Sequence, residues 1–483
     1  YSIQDYKTQV KHQYEMFYLR FVILNAILTP FPSNWRPAVM YRDLTRGSIS
    51  RSLILFALPM IAGNLLQQFY NIADTLIVGR ALGSGALAAV GSAYTLMTFL
   101  NSIFLGLSMG AGALFSIYRG RDDERSLRLG IVHAFGLILG VTLLLSAAVY
   151  LFLEPILCFL RTPESVAPGM REYLRIIFVG LLATSLYNYL SCLLRALGNS
   201  TVPLVFLAVS ALLNVGLDLI FVLVFHWGIA GAAWATVLAQ WVSGVGMLGY
   251  FLTKCKHLLP KKSELHYERC ILHEILQLSA LTCVQQSVMN FGILMVQGLV
   301  NSFGETIMAA FAAAVKIDTF AYLPVQDFGN AFSTFIAQNF GAGNRQRLRE
   351  GTRKAFLLSF LFSAVISALV FLLAEPLMGL FVNAGEIAVI AAGVRYLRIE
   401  GACYFGIGWL FLLYGYYRAI QKPMMSVILT VISLGTRVAL AYLLSGLIGV
   451  TGIWLSIPIG WALADGFGLT KLLAQRKNVA FLE

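Results

Sequence analysis

Charge is what this chain has least of. Of its 483 residues only 12% are Asp, Glu, Lys or Arg, against 58% hydrophobic, whereas a soluble domain carries about 25% charged residues. That balance excludes a water-soluble globule and points to lipid. The formal net charge of +12 does not signal nucleic acid, because Lys and Arg are scattered through short loops and not massed on one face; membrane topology accounts for them, and no nucleic-acid partner is expected. The six cysteines (Cys158, Cys192, Cys255, Cys270, Cys283, Cys403) form no C-x-x-C pair and mostly lie in apolar runs, so neither a disulfide framework nor a metal site is indicated. The six histidines are dispersed, and H-E-x-x-H and G-x-S-x-G are absent, which leaves a membrane enzyme without a constellation and the expectation that this is not one. No repeated filter motif speaks for an ion channel.

What is present is a series of apolar runs of about 20 residues or more, each long enough to cross a ~30 Å hydrocarbon core. Twelve are expected, near 52–79, 86–116, 127–151, 172–194, 202–224, 229–253, 272–302, 306–338, 352–373, 393–416, 424–445 and 449–472. Only helices satisfy their backbone over such lengths in lipid, so the fold class is an all-α polytopic membrane protein. With residue 51 inside, the inner segments carry twenty Lys and Arg (among them Arg195, Arg347, Arg418, Lys261, Lys262, Arg476 and Lys477) against six outside (Arg80, Arg161, Arg171, Arg175, Arg395, Arg398). That bias puts both termini in the cytoplasm. Residues 1–39, broken by Arg20, Pro30, Pro32 and Pro37, read as an N-terminal extension without transport function, with Met40 resembling a natural start.

The chain repeats itself. Glu154-Pro155 returns as Glu375-Pro376, Tyr173-Leu-Arg175 as Tyr396-Leu-Arg398, Arg195-Ala196 as Arg418-Ala419, Gly228-x-x-Gly231 as Gly449-x-x-Gly452, and the Gly120 loop as the Gly341 loop, all at offsets of 221 to 223. Six spans per repeat is an even number, so the halves enter the membrane in the same sense, related by an axis along its normal. The expected organisation is an N-lobe over 40–253, a basic linker over 254–271, a C-lobe over 272–472 and a tail over 473–483: two pseudo-symmetric six-helix bundles about a central cleft.

Within the first span, Asn64, Gln67, Asn71 and Asp74 recur at spacings of three, four and three, which lines them along one helical face. An ionisable group at that depth is costly unless paired, neutralised or wetted, and so marks a functional site. Span 5 offers Asn214 and Asp218 one turn apart, span 6 Thr236, and span 4 Asn188. Counted from the span ends, Asp74, Asp218 and Thr236 lie about five, six and seven residues from the outer surface, a difference of only a few Å. They are expected to meet as a site that takes up a proton or small cation, since two carboxylates in low dielectric cannot both ionise cheaply. At the repeat offset, Asp74 falls on about Met295 and Asp218 on about Ala439, so the second lobe keeps Gln285, Gln286 and Asn290 but loses both acids at those positions. Met60, Met97, Phe99 and Met289 suit a pliable cavity. Glu400 and Arg437 are expected to form a structural ion pair; Lys316 and Asp318 to line water or pair with neighbours; Asp327 and Asp465 to be structural.

The run Phe56-Ala-Leu-Pro59-Met60…Gly63-Asn64-Leu-Leu-Gln67-Gln68…Asp74-Thr75…Gly79 resembles the first helix of the multidrug and toxic compound extrusion (MATE) family, and Gln338-Asn339-Phe-Gly341-Ala-Gly343 resembles its second-half loop. The likeness covers roughly 40–475, with the acids placed as in the proton-coupled, DinF-like bacterial branch. It implies a bacterial inner-membrane antiporter that exports lipophilic, often cationic drugs or toxins by alternating access. Asp74, Asn214, Asp218 and Thr236 fall on that branch's cation-site positions, and Gln67, Tyr70 and Asn188 on residues lining its drug cavity, with Asn71 on the same stripe. No cofactor is implied beyond the coupling ion, H+ or Na+, and no metal site other than Na+ at Asp74 and Asp218. The chain departs from sodium-coupled relatives in carrying Gln285-Gln286 where they have a span-7 glutamate. The partners implied are a small molecule and the bilayer, with the protein a monomer. The alternatives are a sodium-coupled exporter and a lipid-linked saccharide flippase of the same superfamily, which wants a strongly cationic cleft that only Arg437 and Lys316 are positioned to supply.

Overall fold

The computed structural model describes residues 42–159, 164, 166–260, 267–383 and 385–480. The expected extension over 1–39, Arg161, Lys261 and Lys262 lie outside them, as do the side chains of Arg476 and Lys477. The described chain is helical almost throughout. Its helices are α1 (Ile49–Gly83), α2 (Gly85–Gly120), α3 (Glu124–Leu151), α4 (Ala167–Ala196), α5 (Thr201–Val224), α6 (Gly228–Lys254), α7 (Arg269–Asn301), α8 (Glu305–Gly341) and α9 (Arg345–Leu372). There follow α10, in two pieces (Ile387–Gly401 and Tyr404–Ala419), α11 (Pro423–Ile448) and α12 (Val450–Ala480). Eleven of these are long and apolar enough to cross a membrane. The expected span over 393–416 is instead two helices of 15 and 16 residues that meet at Ala402 and Cys403. Its repeat partner α4 shows why: it too changes winding, through a 3₁₀ turn at Phe178–Gly180, one repeat earlier. Leu144, Leu212, Leu372 and Leu447 stand 71–79% exposed on the outside of the bundle, a surface only lipid tails would cover.

Each lobe has its own core. Val78, Phe104, Leu157, Phe178 and Val237 pack together in the first; Phe311, Tyr396, Trp454 and Trp461 pack in the second, where the Phe311 and Trp454 rings stack at 5.4 Å. A further cluster joins the lobes at one end, called here the base, through Leu53, Phe56, Ile117, Phe332, Phe335 and Leu412.

The pseudo-twofold axis passes through that base. A Cβ on Gly120 would run into the Gln338 carbonyl, and one on Gly341 into the Ile117 carbonyl. Residues 120 and 341, like 117 and 338, are repeat equivalents, so α2 and α8 cross by a self-complementary contact of the kind a twofold axis generates. The turns that follow also match. Asp122 and Gly343 take positive φ (54° and 67°), and Asp123 and Asn344 then cap α3 and α9 by accepting from the backbone N–H of Ser126 and Arg347, each at 3.0 Å.

The lead-in before α1 is docked into the same base. Leu44 N–H donates to Gln338 Oε1 at 3.2 Å, Gln338 Nε2 donates to Ala196 O at 2.8 Å, and Arg42 N–H donates to Gly198 O at 3.1 Å. Asn339 Nδ2 and Arg347 donate to Leu44 O, and Arg347 also to Gly47 O at 2.8 Å. Gln338 thus ties both lobes to one strand of backbone, and the base is closed. Because the α2–α8 crossing has no room for a side chain, Gly341→Ala is expected to lower the thermal unfolding midpoint in mild detergent by several degrees. Gly136→Ala, facing open space on α3, should leave it unchanged or slightly raised; equal effects of the two would contradict the crossing.

Candidate functional site

Above the base lies a cavity of about 450 Å³ between the lobes. Every polar residue of the α1 stripe lines it: Asn64, Gln67, Asn71 and Asp74, with Gln68 and Tyr70 beside them. The three-four-three spacing therefore does turn one helical face to the cleft. Asn188 and Thr236 line it as well, as do Met60, Met97, Met109 and Met289, a polarizable wall able to repack around varied shapes. Phe99, by contrast, is 38% exposed and is not among the lining residues.

At the end of the stripe the expected acids come together. Asp218 is fully buried and its carboxyl faces that of Asp74, close enough for each to feel the other. Asn214 Nδ2 donates to Thr236 Oγ1 at 3.3 Å, and Thr236 in turn donates to Ala232 O at 3.1 Å. Asn214 Oδ1, Asp74 Oδ1 and both carboxyl oxygens of Asp218 are buried without a donor. Two facing carboxyls and an amide oxygen form a purely accepting cluster, which is unfavourable in a dry interior unless a proton or cation is shared among them. The donor set thus fits H+, or Na+ with Asp and amide oxygens as ligands. Immediately after Asp218, α5 widens into a π-helical stretch at Leu219–Val224, a local irregularity often found at functional sites. Tyr173 of α4, buried and lining the cavity, lies within electrostatic reach of both acids. Its only sequence signal was the Tyr-Leu-Arg repeat.

The second lobe requires two corrections. Its acids are missing at the repeat positions, but it has a carboxylate pair of its own from other helices: Asp318 of α8 and Glu400 of α10, buried within electrostatic reach of each other and of Arg437 of α11. Tyr404 lies beside Asp318, its buried hydroxyl without a hydrogen-bond partner, and Tyr396, the repeat partner of Tyr173, lies beside Glu400. The lobes are therefore less unlike than the offset comparison implied. The expected Glu400–Arg437 ion pair is not a direct one. Arg437 lies within electrostatic reach of both carboxylates but makes no N···O contact with either, and its Nε and Glu400 Oε2 are buried unpartnered. One guanidinium between two acids is drawn to both and docks on neither. Removing it should leave two uncompensated buried carboxylates, so Arg437→Met is expected to destabilise the protein by roughly 3–5 kcal/mol, read as thermal unfolding, and added Glu400→Gln should recover part of that. No recovery would contradict the cluster.

Across the cleft, Asn64 Nδ2 of α1 donates to both oxygens of Asp327 on α8, at 2.7 and 2.8 Å, a bridge between the lobes that nothing in the sequence spacing signals. Lys316 is exposed and not at the cavity. The cations that do reach the lining are Arg195 and Arg418, counted from sequence as loop charges.

A family model described as MatE matches residues 59–220 and 281–443, one stretch in each lobe. The probable multidrug resistance protein YpnP of Bacillus subtilis is 32% identical over 426 residues, 87% of this chain and 94% of that protein; YoeA of the same organism is 28% identical over 460 residues, 91% and 97%. Among solved structures, an outward-facing multidrug resistance MATE transporter superposes with a TM-score of 0.85 over 91% of this chain and 98% of its own, at 22% identity. Two homologous six-helix lobes, the polar face of α1 and the matched relatives agree, and the chain belongs to the MATE family of membrane transporters.

Proposed function

We propose that the protein exports lipophilic, often cationic drugs or toxins across the bacterial inner membrane in exchange for a cation, with H+ as the coupling ion and both termini in the cytoplasm. The observation that carries this reading is the facing carboxyl pair of Asp74 and Asp218 at the end of the polar stripe that lines the cavity. The names borne by relatives, probable multidrug resistance proteins among them, support the substrate class. The basic segments gather on the side of the base, which makes the base cytoplasmic. With the base closed, the cleft exchanges solutes only towards the opposite, outer side.

The residues then divide the work. Asp74 belongs both to the acid pair and to the cavity wall, so its charge state is felt by a passenger lying along Gln67, Tyr70, Asn71 and Asn188. Uptake of a proton by the pair removes negative charge from that wall and weakens its hold on a cationic passenger. By reciprocity, a passenger bound there favours proton release. Asp218, fully buried, holds the proton away from water, and Asn214 and Thr236 fix the geometry around it. Opening at the base requires Gln338 to release Ala196 or Leu44, and Asn64 to release Asp327. Each elementary charge moving inward contributes ~2.3 kcal/mol per 100 mV, and each unit of pH gradient ~1.4 kcal/mol. A sodium-coupled reading draws on Asn214 Oδ1, a neutral oxygen of the type Na+ accepts.

In everted vesicles, an imposed proton gradient, acid inside, is expected to drive uptake of a fluorescent cation added outside, and a sodium gradient alone is not. Asp74→Asn and Asp218→Asn should each abolish gradient-driven transport while the protein remains monodisperse. Full transport in both variants would overturn the assignment, and transport driven only by sodium would replace the ion.

A further inference from the structure

The floor of the cavity carries charge of the opposite sign to its upper end. Arg195 is the penultimate residue of α4 and Arg418 that of α10, repeat equivalents that both line the cavity near the base. A cation at a helix C-terminus is favoured by the helix dipole, and this accounts for a basic residue at each position. It does not account for where the side chains go. Arg195 Nε is buried with no hydrogen-bond partner, whereas a surface guanidinium satisfies its donors with water. Arg418 is 4% exposed, with its head held by Asn330 Oδ1 at 3.2 Å and Ser333 Oγ at 3.4 Å, both neutral groups.

The charges near the floor do not cancel. Asp327 is the acid within electrostatic reach of Arg195, and Asn64 Nδ2 already occupies both of its oxygens. Among the lining residues the charged groups are Asp74 at the upper end, and Arg195, Asp327 and Arg418 towards the base. Two guanidiniums against one engaged carboxylate leave one positive charge over, in a water-poor cleft where it counts for more than at a surface. Cys192, one turn before Arg195, feels both guanidiniums, which places the two heads around one region. Paired guanidinium donors in such a place match the oxygens of a carboxylate or phosphate.

We propose that Arg195 and Arg418 form an oxyanion subsite at the cavity floor, so that the preferred passengers are amphipathic compounds bearing a carboxylate or phosphate, including zwitterions whose cationic end lies towards Asp74. The proposal rests on the export reading above and refines its substrate class.

The test uses the purified protein in detergent and rhodamine B, a zwitterion with a free carboxylate, against its ethyl ester, in which an ethyl group replaces that charge. The acid should bind about tenfold more tightly than the ester, as one charge-assisted pair of hydrogen bonds gives. Arg195→Gln should bring the ratio to about one by weakening the acid alone, and Arg195→Lys should keep most of it. Unchanged ester binding in Arg195→Gln reports that the cavity is still folded. 4-Methylumbelliferyl phosphate against 4-methylumbelliferone repeats the comparison for a phosphate and shows which oxyanion is preferred. Equal affinity of wild type for both members of each pair, or a ratio that survives Arg195→Gln, would overturn the subsite and leave the export reading intact. Failure of wild type to bind any of the four dyes would overturn both.

Discussion

The constraint on which this structure depends is that a charge carried into the bilayer must meet a partner, a shared proton or water. The chain carries few such charges and collects most of them in three places. Asp74 and Asp218 share one pocket of the first lobe; Asp318, Glu400 and Arg437 share one of the second; Arg195, Arg418 and Asp327 meet the cleft near its base. Asp465 of α12 is buried apart from them with one carboxyl oxygen unpartnered, and the lobes are otherwise closed mainly by apolar packing. Each cluster is unbalanced in its own way: two acids with no cation, two acids with one, two cations with one acid. An unbalanced buried cluster is one whose stability changes when an ion or a charged passenger arrives, which is what a coupled transporter requires.

The symmetry of the fold gives these clusters their relation. The α2–α8 crossing places Gly120 and Gly341 on the axis. Repeat-equivalent tyrosines, Tyr173 and Tyr396, attend the acid cluster of each lobe. Repeat-equivalent arginines, Arg195 and Arg418, come to the cavity from opposite lobes. The acids themselves are not equivalent: α1 and α5 supply them in one lobe, α8 and α10 in the other. The repeat has preserved the framework around two sites while their ionisable members moved to different helices.

How much of this could be read from sequence followed from the range of the interactions. Asp74, Asn214, Asp218 and Thr236 were legible because helical periodicity and depth place a side chain on one face at one level, and two such constraints suffice to bring three helices together. The α1 stripe was legible for the same reason. The Asn64–Asp327 bridge was not, since it joins residues 263 positions apart across two lobes. Arg195 and Arg418 were misplaced because a charge next to a loop reads as topology, and nothing in spacing says that its head turns inward. The second acid cluster was legible only in pieces, Glu400 with Arg437 and Asp318 by itself, because comparison at a fixed offset finds only acids that stayed in register. The break in α10 was missed although Arg395, Arg398 and Glu400 interrupt its hydropathy and the glycine-containing turn in α4 occupies the equivalent place.

In the proposed mechanism, passenger and proton compete through one acid pair. That competition is tested most directly by adding a cationic dye to purified protein in weakly buffered detergent solution and following the pH. The account predicts proton release that saturates with dye binding in wild type and vanishes in the Asp74→Asn/Asp218→Asn double variant, although the dye still binds. Release of the same size in the double variant, or none in wild type while dye binds, would contradict it.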